Sequence, residues 1–240
     1  MLLEGKVALI TGGSKGLGRA ICLAYAREGA SVVTFSRDAV ALKEVDEELS
    51  QIGRPHLVRP GDITKSEDIK KVVGESISTY GRIDILVNNA SLLGPRVEIV
   101  NYPEEDWRAV LNTNLYGAFL LSKEVAQPMI AQRSGSIINV SSSVGRRGRA
   151  RWGAYAVSKF GIEGMTQVLA DELNPYNIRA NSVNPGAMAT VMRRAAYPDE
   201  DQTKLKKPEE LVGVFLYLAS DESIGKTGGQ YDAQSFRKPV

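Results

Sequence analysis

Tyr155 and Lys159 stand four residues apart in Tyr155-Ala156-Val157-Ser158-Lys159, and Ser142 lies thirteen residues before the tyrosine. On a helix, positions i and i+4 share a face, so the lysine ammonium can lie beside the phenol. A free tyrosine keeps its proton to a pKa of about 10. A neighbouring cation favours the phenolate and moves the group towards the range of a working acid or base. Ser142 can then hydrogen-bond the oxygen on which negative charge develops. Alone, a Tyr-x-x-x-Lys pair equally describes a surface contact on an ordinary helix. A signature at the other end of the chain favours the chemical reading.

That signature is Thr11-Gly12-Gly13-Ser14-Lys15-Gly16-Leu17-Gly18. It follows the apolar run Val7-Ala8-Leu9-Ile10, which reads as a buried strand, and precedes Arg19 to Ala26, which has helical periodicity. Strand, glycine turn and helix form the context in which a glycine motif binds phosphate. Gly12 permits the tight turn, Gly16 lets backbone approach a pyrophosphate, and Gly18 lets helix and strand pack closely. Ser14, Lys15 and Leu17 complete the turn, and the helix N-terminus offers free N–H groups to the phosphates.

Strands and helices alternate along the rest of the chain. Strand candidates are Val32 to Phe35, His56 to Val58, Ile83 to Val87, Ile137 to Val140 and Ile178 to Val183. Helical stretches run Ala39 to Ile52, Ser66 to Tyr80, Pro103 to Ala131, Ala154 to Leu173 and Pro208 to Ala219. Ser66-Glu67-Asp68 offers an acceptor and acids at a helix start, and Pro208 suits a first turn. This alternation predicts an α/β fold: one domain over residues 1–240, a doubly wound parallel sheet of about seven strands with helices on both faces. Ligands bind such sheets at the carboxyl ends of the strands, where the motifs fall. The mostly irregular stretch 188–207 is the expected lid over a substrate.

Composition narrows the classes. Thirty basic residues stand against 28 acidic ones, so there is no electrostatic case for a nucleic-acid partner. No apolar run approaches the length of a membrane span. The single cysteine, Cys22, cannot form an internal disulfide and reads as core packing in a reducing compartment, which points to the cytoplasm. His56, the only histidine, reads as structural, and no metal is expected.

These residues resemble the short-chain dehydrogenase/reductase family over nearly the whole chain. The glycine turn matches that family's T-G-x-x-x-G-x-G cofactor motif. Asn88-Asn89-Ala90 matches its N-N-A-G motif, with Ser91 in place of the glycine. Asn114, Ser142, Tyr155 and Lys159 match its catalytic tetrad. Pro185-Gly186 with Thr190 matches the P-G-x-x-x-T segment flanking the nicotinamide. The resemblance implies a Rossmann-type fold and a hydride transfer between a nicotinamide and a carbonyl or secondary alcohol. In the reduction it implies, Tyr155 protonates the carbonyl oxygen, Ser142 orients it, and Lys159 contacts the nicotinamide ribose and favours tyrosine ionisation. Asn114 holds a water that reconnects Lys159 to solvent. Of three adjacent serines, the spacing to Tyr155 selects Ser142, and strand alternation turns Ser141 and Ser143 away.

Charge argues the cofactor. In dinucleotide folds an acid after the second strand holds the adenosine ribose and repels a 2′-phosphate. Here Ser36 takes that place and Arg37 follows, with Lys15 on the same side, a set that favours NADP(H) over NAD(H). Asp38 opposes this if it, rather than Ser36, faces the ribose. Asp62, followed by Ile63, matches the family's adenine-contacting aspartate, or is a turn cap. Asn88 and Ala90 are expected along the adenosine ribose. Thr190 contacts the nicotinamide or caps the lid.

Substrate readings remain open. Arg146, Arg147, Arg149 and Arg151 lie between Ser142 and Tyr155, and recognise an anionic substrate or form a solvated or subunit-facing loop; Arg96 can reach the same mouth. The run Ser141 to Ala150, with Gln167 to Glu172, resembles a bacterial subgroup without an assigned substrate, related to 3-oxoacyl-carrier-protein reductases. The tail Tyr231-Asp232-Ala233-Gln234 departs from the family's usual V-D-G-G. A 3-oxoacyl thioester or small ketone is the expected substrate. A non-catalytic NADP(H) sensor on the same fold is the alternative, and the intact tetrad argues against it. The resemblance also implies a homodimer or homotetramer built on the helices Pro103 to Ala131 and Ala154 to Leu173; Leu115, Phe119, Leu120, Phe160, Met165 and Val168 either serve it or face the chain's own sheet.

Overall fold

The computed structural model describes residues 1–239. Seven parallel strands form one sheet in the order β3-β2-β1-β4-β5-β6-β7. They are β1 Val7–Thr11, β2 Ser31–Ser36, β3 His56–Pro60, β4 Ile85–Asn88, β5 Gly135–Val140, β6 Ile178–Asn184 and β7 Gln230–Asp232. The order reverses between β1 and β4, which opens a crevice beyond their carboxyl ends. The alternation of β1 divides the core: Ala8 and Ile10 face one layer, Val7 and Leu9 the other. Helices α1 (Gly16–Arg27), α2 (Ala39–Ile52) and α8 (Gly213–Ala219) cover the first face, and α3 (Ser66–Tyr80), α5 (Gly117–Gln132) and α6 (Gly153–Leu173) the second. Two short helices complete the set, α4 (Glu104–Leu111) before α5 and α7 (Val191–Ala196) after β6.

Burial on both faces explains why the strands read as continuous apolar runs. The seventh strand escapes that rule. Gln230, Tyr231 and Asp232 form an edge with mostly exposed side chains, so no apolar run marks it.

Two expectations change. The stretch 103–131 is not one helix. It opens at Asn112–Tyr116 into a π-type turn between α4 and α5, a feature that concentrates at functional sites. The stretch 188–207 is mostly irregular, as expected, and carries the short α7 and a parallel bridge between Met188 and Lys206. Ser66 does not cap α3. Lys65 occupies that position without a side-chain bond, and Asp68 instead accepts from the Asp62 amide at 2.8 Å. The outer faces of α5 and α6, with the preceding turn, leave Tyr116, Phe119, Val157, Phe160 and Val168 exposed, so these residues do not pack on the chain's own sheet. His56 is structural: its ring lies 2.8 Å from the Arg54 carbonyl and 3.3 Å from Asp46.

Candidate active site

The helix α6 sets the tyrosine and lysine on one face. Lys159 is 2 % exposed, and its Nζ donates to the Val140 carbonyl at the end of β5 at 2.8 Å. The same Nζ lies 5.6 Å from the centroid of the Tyr155 ring. Burial lowers the Lys159 ammonium to about 8, with Glu163 one turn further along α6 pulling it partly back. Burial pushes the Tyr155 phenol up to about 12, partly offset by the hydroxyls of Ser142 and Ser91. The sequence leads one to expect Lys159 to draw the phenol down, whereas desolvation decides here, because removing a phenolate from water costs more than the neighbouring dipoles return. Tyr155 therefore holds a proton at neutral pH and is set to donate it.

Ser142 leaves β5 and faces Tyr155, and its Oγ also accepts from the Val144 amide at 3.4 Å. Ser141 turns inward, with its hydroxyl buried and unbonded among the described residues. Of the adjacent serines, Ser142 is the one whose hydroxyl acts on the Tyr155 phenol. Ser91, where the family motif has glycine, places a second hydroxyl near enough to ease the phenol's upward shift, while its Oγ has no hydrogen-bond partner among the described residues. Its significance is invisible in the sequence, because only the fold sets the loop after β4 against α6.

Asn114 sits in the π-type turn and is 1 % exposed. Its Oδ1 accepts from the Leu92 amide at 2.7 Å, and its Nδ2 donates to the Leu92 carbonyl at 2.9 Å and to Ser158 Oγ at 3.0 Å. Ser158 in turn donates to the Tyr155 carbonyl at 2.7 Å. These three bonds brace the Ser91–Leu92 loop against α6.

A cleft of about 430 Å³ runs from β2 to Tyr155 and is lined by Gly12, Ser14, Lys15, Gly16, Leu17, Ser36, Arg37, Asp62, Ile63, Ala90 and Thr190 among others. Its glycines fit a dinucleotide. Gly16 has φ of +55° and faces the lid across open space, with only a Thr190 methyl near where a side chain would start. A Cβ on Gly18 would stand 2.3 Å from the Gly12 carbonyl oxygen, so only glycine lets α1 pack on the turn and aim its N-terminus into the cleft.

Several expected contacts move. Asn88 does not line the cleft: its Nδ2 donates to Ser122 Oγ at 2.9 Å and Asn139 Oδ1 at 2.8 Å under the sheet. Strand alternation turns Asn89 outward instead, where Nδ2 donates to the Thr11 carbonyl at 2.8 Å and supports the glycine turn. The side chain of Gln234 donates to the Pro185 and Ala187 carbonyls at 3.1 and 2.7 Å and holds this turn from behind, which gives the divergent tail a structural use. Thr190 lines the cleft and caps α7, accepting from the Arg193 amide at 3.2 Å. Asp62 makes a turn, accepting from the Thr64 amide and hydroxyl at 2.9 Å. Asp38 caps α2 through the Ala41 amide at 3.0 Å and pairs with Lys15 at 2.6 Å. Ser36 and Arg37 both line the cleft beside it.

The arginine cluster divides. Arg146 turns inward to Glu163 and Asp232, both at 3.1 Å, and ties β7 to α6. Arg151 meets Glu98 at 3.6 Å, while Arg147 and Arg149 are exposed. Trp152, which follows them, lies with its ring 5.5 Å from that of Tyr155.

This fold and this constellation define a nicotinamide-type oxidoreductase, and comparison with known proteins gives the family. The short chain dehydrogenase family profile matches residues 6–201, and the chain belongs to that family. The uncharacterized oxidoreductase YciK of Escherichia coli K12 is 39% identical, over 99% of this chain and 95% of its own length. The 3-oxoacyl-[acyl-carrier-protein] reductase FabG of Thermotoga maritima is 43% identical, over 95% of this chain and 96% of its own. A short chain dehydrogenase of Shigella flexneri 2a, solved in complex with NADP, superposes with a TM-score of 0.93 at 38% identity, covering 97% of this chain and 98% of that one. Among the described residues no helix is long and apolar enough to cross a membrane.

Proposed function

We propose that this chain is an NADP(H)-dependent carbonyl reductase, working in either direction between a ketone and a secondary alcohol. The observation that carries the reading is Tyr155: a phenol that keeps its proton, beside Ser142 and Lys159, where the nucleotide cleft ends. The nicotinamide supplies the hydride when bound. Tyr155 donates its proton to the carbonyl oxygen as charge develops there, which is worth about 10²–10⁴-fold in rate. Ser142 steadies that oxygen through its hydroxyl. Lys159 stands by as a cation that favours the phenolate left behind.

NADP(H) is favoured because Ser36 and Arg37 line the end of β2, while Asp38 is engaged by Lys15 and the α2 amide. The NADP held by the Shigella relative supports the same choice. A 3-oxoacyl thioester, the substrate named for the Thermotoga relative, and small ketones are the first candidates. The lid over 188–207, the cytoplasmic location and a homo-oligomer through the exposed apolar faces of α5 and α6 belong to the same reading. The test is loss of NADPH absorbance over β-ketoacyl thioesters, diketones, quinones and ketosugars, with NADH in parallel. Turnover with NADPH that vanishes in Tyr155→Phe is expected. Tight NADPH binding without turnover of any carbonyl would overturn it.

A further inference from the structure

Ser91 stands where the family motif has glycine, and it lines the nucleotide cleft together with Tyr155 and Lys159. Its Oγ is buried and has no hydrogen-bond partner among the described residues. The backbone on either side of it is fixed. The Ala90 amide donates to Thr11 Oγ1 at 2.9 Å, and Asn114 accepts from the Leu92 amide at 2.7 Å and donates to the Leu92 carbonyl at 2.9 Å. Asn114 also donates to Ser158 Oγ, which donates to the Tyr155 carbonyl. Two side chains thus tie the loop of Ser91 to the turn of α6 that carries the phenol. Around that phenol, Lys159 of α6 brings a cation with Nζ 5.6 Å from the ring centroid, and Glu163, one turn further along, acts on the lysine. Ser142 comes from the end of β5 and Ser91 from the loop after β4. Ser142 Oγ accepts from the Val144 amide, which leaves its own proton to be donated.

We infer that Ser91 is a second donor to the Tyr155 oxygen: its hydroxyl bonds that oxygen once the proton has gone to the substrate, so that Ser91 and Ser142 together hold the negative charge left on the tyrosine. The part played in the reaction rests on the reductase reading above, whereas the contact itself does not. A protonated phenol directs its own proton at the substrate and accepts weakly. The phenolate has no proton and accepts from several donors at once, through bonds about twice as strong as those between neutral groups. A donor that stands unpaired beforehand therefore stabilises the transition state more than the ground state. As mere filler Ser91 is a poor choice, because a buried hydroxyl without a partner is destabilising and glycine or alanine avoids it. The nearness of the hydroxyl already eases the upward shift of the phenol. In the reduction, hydride from the nicotinamide adds to the carbonyl carbon, the O–H bond of Tyr155 breaks, and its proton joins the carbonyl oxygen. This gives the alcohol and oxidised nicotinamide. The electron pair stays on the tyrosine oxygen, where Ser91 and Ser142 donate to it until solvent returns a proton.

The test compares the wild type with Ser91→Ala, Ser91→Gly and Ser91→Cys. Its first readout needs no turnover. Tyr155 is replaced by difluorotyrosine, a more acidic phenol fluorinated beside the hydroxyl, with and without Ser91→Ala. The fluorine NMR shift is then followed against pH in the protein without cofactor. The midpoint is expected to rise by about one to two pH units in Ser91→Ala, because the phenolate loses a donor. The second readout is reduction of whichever carbonyl the NADPH assay turns over. In Ser91→Ala and Ser91→Gly kcat should fall about 10- to 100-fold, the size of one hydrogen bond to a charged group, with a smaller change in NADPH affinity. Ser91→Cys, a weaker donor, falls between. The melting temperature of Ser91→Ala should hold or rise, where loss of a packing residue would lower it. An unmoved midpoint overturns the inference, and a lower kcat alongside it is then a packing defect. A raised midpoint with an unchanged kcat overturns the part in the reaction. A raised midpoint in a protein that turns over no carbonyl leaves the Ser91 contact standing and sinks the reductase reading.

Discussion

Lys159 holds its ammonium 5.6 Å from the centre of the Tyr155 ring while donating to the Val140 carbonyl at 2.8 Å. One lysine thus links the proposed proton donor to the end of β5 and carries its charge inside a buried site. The two groups are displaced in opposite directions by the same burial, the phenol up to about 12 and the ammonium down to about 8. Burial disfavours whichever form is charged.

The first prediction follows from the phenol. Tyr155→Phe removes only a hydroxyl that the core does not need, so the chain folds and binds NADPH as before. Ketone reduction falls by about 10²–10⁴-fold with the loss of the proton donor. Stopped-flow turnover beside a fluorescence titration of NADPH separates the two effects.

The second follows from the ammonium. With Lys159 titrating at about 8, kcat/KM for reduction falls as pH rises through that value, because this parameter reports the ionisations of the free enzyme. Unfolding is not the cause. The unfolded chain keeps the lysine proton up to 10.5, so between about 8 and 10.5 it binds more protons than the folded one. Stability contributed by this group therefore rises with pH over that window. A pH–rate profile with thermal melts at each pH checks both signs, and Lys159→Met should abolish the limb.

A third concerns the brace. Asn114→Ala leaves the Leu92 amide and carbonyl and the Ser158 hydroxyl without their partner. The cost is about 2–4 kcal/mol in stability, and activity falls with it as the Ser91–Leu92 loop loosens from α6. Urea unfolding measures the first. A larger loss in kcat than in NADPH affinity would mark the second. Asn114→Asp, which keeps one acceptor and loses both donations, should recover only part.

A fourth addresses cofactor choice. Ser36→Asp places a carboxylate where a 2′-phosphate would sit, and Arg37→Ala removes a charge-assisted contact. Each should weaken NADPH by about tenfold or more relative to NADH, equivalent to about 1.4 kcal/mol or more. Unchanged discrimination in both variants would move the ribose contact to Asp38.

The fifth concerns assembly. Phe119 and Phe160 are 45% and 46% exposed on adjacent helices, an apolar surface suited to a second copy. Phe119→Glu with Phe160→Glu should halve the mass or more in light scattering after gel filtration, with the melting temperature falling as the interface is lost.

The layers of the fold are legible in the amino-acid sequence. Apolar runs alternate with helical periods, and parallel strands buried on both faces leave that trace. The boundaries of α2 and α3 fall at Ile52 and Tyr80 as periodicity and the following glycines suggest. What the chain hides has a physical reason in each case. The edge strand at Gln230 has no apolar pattern because it has no second neighbour. Asn88 and Asn89 look alike in sequence, and alternation from Val87 separates them: one turns under the sheet and the other to the glycine turn. The Arg146 to Arg151 run suggests an anion site, yet Arg146 is engaged by Glu163, a partner seventeen residues away that only folding brings near. Arg96, Trp152 and Tyr197 meet across three loops, and no local pattern announces such a junction.

The most direct test of the central claim is transfer of the hydride itself. NADPH deuterated at the transferring position would be turned over with each reduced ketone, and the product alcohol weighed by mass spectrometry. One deuterium on the carbinol carbon, at a rate that collapses in Tyr155→Phe while NADPH still binds, is the result predicted. Firm NADPH binding with no deuterium reaching any carbonyl, or an equal rate in Tyr155→Phe, would contradict it.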